Sequence, residues 1–115
     1  MASSNIILDK TFEFSKSIVF LYLDLKNEKE FDLGRQVLRS GTSIGANVEE
    51  AIGAISKKEF ISKLQISYKE ARETKYWLRL FKECGIAKRG KLDDLLGECD
   101  EILRILTSIL NSSKN

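Results

Sequence analysis

The sequence predicts an all-α fold: one domain over residues 1–115, folded as an antiparallel up-down-up-down four-helix bundle. Three observations carry this reading. None of the 115 residues is Pro, the residue that breaks helix interiors. Apolar side chains recur at steps of three and four in four separate stretches, the pattern of helices with one buried face. No stretch alternates apolar and polar residues or carries an Asn-Gly turn, so strands have no signal. Short polar connections then set successive helices antiparallel.

The first helix is expected over about residues 8–26, with Phe12, Phe14, Ile18, Val19, Leu21, Tyr22, Leu23 and Leu25 forming a wide apolar arc. Asn27-Glu28-Lys29-Glu30 is a polar break. The second is expected over about residues 32–54, where Val37, Ile44, Val48, Ala51 and Ile55 keep the helical period. The third begins at Ser56, with Glu59 three residues on, a capping-box spacing. It ends at Cys84-Gly85, where Gly suits the left-handed residue that closes a helix. Lys88-Arg89-Gly90 reads as a loop. The fourth helix follows over about residues 92–110, with Leu92, Leu95, Leu96, Cys99, Ile102, Leu103, Leu106 and Leu110 on one face. Residues 111–115 are expected to fray.

Composition excludes several chemistries. The chain has no His, so it builds neither a Ser-His-Asp nor a Cys-His nucleophile pair. The Glu-x-x-His di-iron site of many helical bundles is absent for the same reason. Cys84 and Cys99 are the two cysteines; alone they cannot complete a four-ligand zinc site. No catalytic residue, metal site or cofactor is expected, and the chain is read as a non-enzyme. Both thiols read as reduced. The N-terminus has no signal-peptide pattern, and the longest apolar run, residues 18–23, is far short of a membrane span. The expectation is a cytoplasmic protein with no membrane partner.

The third helix carries three faces when its residues are placed about 100° apart. Phe60, Ile61, Leu64, Tyr68, Ala71, Leu78 and Phe81 form the core face, with Lys75 and Lys82 at its edge. Ile66, Trp77 and Leu80 form a second apolar stripe roughly opposite, flanked by Glu59, Glu70 and Glu73. A second stripe on a bundle helix reads as a subunit contact; the alternative is scattered surface hydrophobes. Lys58, Gln65, Lys69, Arg72, Tyr76 and Arg79 form the third face. Cations with an aromatic among them suit nucleic-acid phosphates, or they are simply a solvated helix face. Charge is uneven: residues 56–84 carry eight basic and four acidic groups in a chain of formal net charge +2.

In the second helix, Gly41 and Gly45 each cost about 1 kcal/mol relative to Ala. A spacing of four small residues recovers this when another helix packs closely. Ser43, Asn47 and Glu50 share one face beside the apolar one. They read as a structural polar clasp, reaching neighbouring helices through Arg35, Arg39, Arg72 or Arg79, or alternatively as a recognition site. The segment Leu38-Arg39-Ser40-Gly41-Thr42-Ser43-Ile44-Gly45-Ala46-Asn47-Val48-Glu49-Glu50-Ala51 carries a resemblance. With Ser56-Lys57-Lys58-Glu59-Phe60 and Lys69-Glu70-Ala71-Arg72-Glu73-Thr74-Lys75-Tyr76-Trp77-Leu78, it resembles the bacterial four-helix-bundle proteins encoded in 23S rRNA intervening sequences. Many members carry Pro where this chain has Gly45, and Gly where it has Ala51.

The resemblance implies a four-helix subunit in a ring-like homopentamer. It also implies kinship with the accessory proteins of diversity-generating retroelements, basic pentameric barrels that bind nucleic acid and a reverse transcriptase. It brings no catalytic residues. The resulting expectation is a homo-oligomer joined through Ile66, Trp77 and Leu80. It binds RNA or a ribonucleoprotein through Lys58, Lys69, Arg72, Tyr76 and Arg79. The alternative is a protein-interaction scaffold without nucleic-acid contact.

Overall fold

A computed structural model describes residues 2–113, with side chains from residue 6 onward. Four helices form: α1 (Ala2–Asn27), α2 (Phe31–Ile52), α3 (Lys57–Cys84) and α4 (Arg89–Ser112). Among the described residues there is no strand. α1 packs on α2 and α4, and α3 packs on α2 and α4, whereas the diagonal pairs do not meet. Helices of 22 to 28 residues joined by short turns make a rod of 45 × 20 × 19 Å.

The buried positions step by three and four on every helix: Ile7, Thr11, Phe14, Ile18, Leu21 and Leu25 on α1, and Leu92, Leu95, Cys99, Ile102 and Leu106 on α4. That spacing keeps one seam facing the bundle axis over many turns. Val37, Ile44, Val48 and Ala51 meet Leu64, Ala71, Leu78 and Phe81 from the other side. Ile7, one turn before the buried Thr11, carries the seam ahead of residue 8, and α1 starts earlier than its apolar arc suggests.

The caps explain the boundaries. At Ser56 the side chain accepts a bond from the Glu59 amide at 3.1 Å, as the Ser-x-x-Glu spacing requires. Gly85 closes α3 with φ +69°, a conformation that costs Gly nothing. Gly53 closes α2, so Ala54 lies beyond it. Lys88-Arg89-Gly90 is not a loop: Lys88 is the N-cap, and Arg89 and Gly90 form the first turn. The Lys88 carbonyl accepts from the amide of Leu92 at 3.1 Å, and Leu92 is fully buried, so the core contact draws the turn into helix. Of the tail expected to fray, residues 111 and 112 are helical, and residues 114 and 115 lie outside the described residues.

Both thiols are free, Cys84 exposed and Cys99 buried. Burial pushes the Cys99 thiol up to about 12, with Asp100 adding to the shift. Its Sγ donates to the Ala71 carbonyl at 3.3 Å. Among the described residues no helix is long and apolar enough to cross a membrane, and no group of three His, Cys, Asp or Glu side chains could hold a metal ion.

Candidate nucleic-acid and subunit interfaces

α3 places its expected faces as follows. Lys75 and Lys82 lean from the edge of the core face to α4, meeting Asp100 at 2.8 Å and Asp93 at 2.6 Å. The Lys82 ammonium holds the Asp93 carboxyl below its ordinary value. Lys58, Lys69, Arg72 and Arg79 are all exposed. No ion pair to an acid holds any of the four among the described residues. Tyr76, 56% exposed, stands among them. From residue 58 to 79 this face runs about 32 Å, at 1.5 Å per residue. On the α4 side, Arg104 joins Arg72 and Lys75 around one shallow hollow. Sequence reasoning missed Arg104, because a cation on the fourth helix carries no signal of its neighbour.

The second apolar stripe is less uniform than its spacing suggests. Ile66 is 40% exposed, whereas Trp77 is half-buried and packs against the core. Leu80 is also half-buried. The Trp77 indole Nε1 donates to Glu73 at 3.0 Å, and its ring meets Tyr76 edge to face with centroids 5.2 Å apart. Trp77 therefore lies on the shoulder of α3 towards α2, where Glu73 also meets Arg39, and not opposite the core. Part of Trp77 is covered within the single chain.

The polar clasp is corrected. Asn47 turns back on its own helix, its amide donating to the Ser43 carbonyl at 2.9 Å and lying 3.1 Å from the Ser43 hydroxyl. An Asn at that spacing satisfies itself without a second helix. Glu50 is exposed and pairs with Lys63 at 2.8 Å, holding that ammonium above its usual value. Arg35 pairs with Asp32 in its own helix, and Arg72 and Arg79 do not reach Glu50. Ser43, Asn47 and Glu50 thus do not act as one interhelical group.

Of Ser43, Asn47 and Glu50, only Glu50 reaches α3, through Lys63; the other contacts between α2 and α3 come from different residues. The buried Ser40 and Thr74 hydroxyls sit 2.9 Å apart, and Ser67 donates to the Ile44 carbonyl at 2.8 Å. At the surface Arg39 binds Glu70 at 2.9 Å and also Glu73. Bonds from Arg39, then from Trp77, hold the Glu73 carboxyl below its usual value. The same contacts hold Arg39 above its own.

The chain matches the sequence model of the 23S rRNA-intervening sequence protein family over residues 3–108. None of the curated proteins matches it. Among solved structures, it superposes with a TM-score of 0.91 on a crystal structure from Bacteroides thetaiotaomicron, described as a protein with unknown function from the S23 ribosomal protein family. The two are 44% identical, and the match covers 95% of this chain and 98% of that one. The family match spans all four helices and the basic face of α3, and on that ground the chain belongs to the 23S rRNA-intervening sequence protein family.

Proposed function

We propose that this chain is a non-enzymatic, homo-oligomeric helical protein that binds RNA, alone or within a ribonucleoprotein, through the outer face of α3. One observation carries the reading: Lys58, Lys69, Arg72 and Arg79 are exposed and unpaired along one side of a helix. Other cations of the bundle, Lys10, Lys63, Lys75, Lys82 and Lys91 among them, are tied to acids. Untied cations release condensed counterions on meeting phosphate, which supplies affinity without reading sequence. Tyr76 offers a ring for an unstacked base. The net charge of one chain is only +2, so several copies acting on one RNA supply the strength by avidity.

The test is the anisotropy of a labelled 23S rRNA fragment, and of an unrelated RNA of equal length, titrated from about 50 to about 200 mM salt. Log affinity falls linearly with log salt if phosphates dominate. Lys58→Glu with Lys69→Glu, in protein shown to be assembled, lowers affinity at least about tenfold, or about 1.4 kcal/mol. If wild-type protein fails to bind either RNA at about 50 mM salt, the reading gives way to a scaffold that contacts protein alone.

A further inference from the structure

The cations on the outer face of α3 form a narrow track. At about 100° per residue, Lys58, Gln65, Lys69 and Tyr76 fall within about 20° of one line. Arg72 and Arg79 lie about 40° and about 60° from that line, on the side where Arg72 meets α4. Acids border the track on both flanks. Glu59, Glu70 and Glu73 lie about 60° to about 120° round the other way, towards α2, where Glu70 and Glu73 share the single guanidinium of Arg39. Past Arg104 the surface turns acidic again. Glu98 and Glu101 of α4 line a hollow with Asp9 and Glu13 of α1, and Lys10 is its one cation. Burial, with the carboxylates of Asp94 and Glu101, raises Glu98 above its usual value. Glu83 stands one turn after Arg79 and ends the track.

We infer that the RNA met by this face is an unpaired strand, laid along α3 with its bases turned onto Tyr76 and into the seam between α3 and α4; this rests on the RNA-binding reading proposed above and names the form of RNA it takes. The first reason is width. A paired helix offers its phosphates in two rows across a groove. With one row on the track, the other lies over the carboxylates towards α2 or towards α1, where like charges repel. A single strand has one row and fits between the acids.

The second reason is the chemistry of the seam. The track is edged by hollows that pair a cation with an apolar side chain. Ile61 lies beside Lys58 and Gln65 in one, and the buried Leu103 lies beside Arg72 and Arg104 in another. A phosphate gains nothing from an apolar surface, whereas the face of an unpaired base does. In a paired helix those faces are stacked on one another and out of reach.

The third reason is Tyr76. It is 56% exposed, and Trp77 meets its ring edge to face with centroids 5.2 Å apart. Trp77 is itself anchored by its bond to Glu73. A ring held before binding loses little freedom when a base stacks on it. Arg72 stands four residues before Tyr76 and Arg79 three after, each one turn away on the helix. The phosphates on either side of a stacked base therefore have a cation each.

The test compares a labelled strand of about 20 nucleotides, of a sequence that does not fold on itself, with the same strand annealed to its complement. Anisotropy is read from about 50 to about 200 mM salt, on variants shown to keep wild-type mass and helix content. The free strand should bind at least about tenfold tighter than the duplex. Tyr76→Leu should weaken strand binding at least about fivefold, the loss expected for one stacked base, with the salt dependence unchanged. Tyr76→Phe should bind as wild type does. Arg104→Gln should lower the slope of log affinity against log salt by about one, the share of one phosphate contact.

A smaller preference for the strand, or none, overturns the inference and leaves the phosphate reading of α3 standing. So does a smaller loss in Tyr76→Leu, or a loss that Tyr76→Phe shares. An unchanged slope in Arg104→Gln overturns it too, since the strand then does not reach across to α4. Wild-type protein that binds neither form at about 50 mM salt overturns the RNA reading itself.

Discussion

α2 is held on its two sides by opposite means. Towards α1 it has lost side chains. A Cβ on Gly41 would lie 2.7 Å from Ile18 Cγ2, and one on Gly45 would lie 3.2 Å from the Thr11 carbonyl oxygen. Towards α3 it has gained polar contacts, with the buried Ser40 beside Thr74 and the Ile44 carbonyl bonded to Ser67. The first seam gains dispersion contact from close approach. The second gains direction, because a hydroxyl pair buried away from water is satisfied in one register only. A helix can therefore slide on its glycine side at modest cost, but not on its hydroxyl side.

Three measurements break or sharpen this contrast. The largest effect is expected on the glycine side. Gly41→Val drives a branched side chain into Ile18 and should cost about 3 kcal/mol, the upper range for overpacking. Urea melts of Gly41→Val, Ile18→Ala and the double variant form a cycle; a coupling of at least about 1 kcal/mol is expected for residues in direct contact. Additivity would show that the seam yields by backbone movement.

On the hydroxyl side, Thr74→Val keeps the shape and leaves Ser40 without its partner. It should cost about 2 kcal/mol, within the range for a buried orphaned group. Adding Ser40→Ala should return most of that loss. A double variant less stable than Thr74→Val would mean that packing, not the hydrogen bond, carries the contact.

The smallest effect is at the surface clasp. Arg39→Met should lower stability by under about 1 kcal/mol at pH 7, since Arg39 is half-exposed and solvent screens the pair. Because Arg39 and Trp77 depress the Glu73 carboxyl below its usual 4.5, their stabilisation is present above that value. It is lost as pH falls through the depressed one. The gap between wild type and Arg39→Met should therefore close as pH falls below the usual carboxylate value. A constant gap would locate the effect in the arginine stem.

The bundle was legible because periodicity, missing Pro and caps all act locally. Gly41 and Gly45 were legible too, since glycine in a helix interior asks for a close neighbour. The clasp was not. Ser40, Ser67 and Thr74 look like any other Ser and Thr, and only the neighbouring helix makes them buried partners. Asn47 misled because a shared helix face does not say whether a side chain turns outward or back on its own backbone. Periodicity also folded Phe12, Val19 and Leu23 into one wide arc with the core residues of α1. Apolar spacing says which residues share a face, not which face is covered. For the candidate RNA face, the positions of Lys58, Lys69, Arg72 and Arg79 on one helix were readable, but their freedom from acids was not.

The order of the seams also has a kinetic consequence. Three of the four helix contacts join neighbours in sequence through turns at residues 28–30, 53–56 and 85–88, whereas α1 and α4 are joined only across the whole chain and share the most sparsely packed seam. Chain closure between distant segments is what slows folding, and here it is confined to a single edge. Each helical hairpin can form on local contacts alone, with refolding on the order of milliseconds or faster, as for other local-contact helical folds. The α1–α4 edge is then the last to zip and the first to open, so amide exchange at Lys10, Phe14, Glu98 and Ile102 should precede that at Ile44 and Ala71 in the native state.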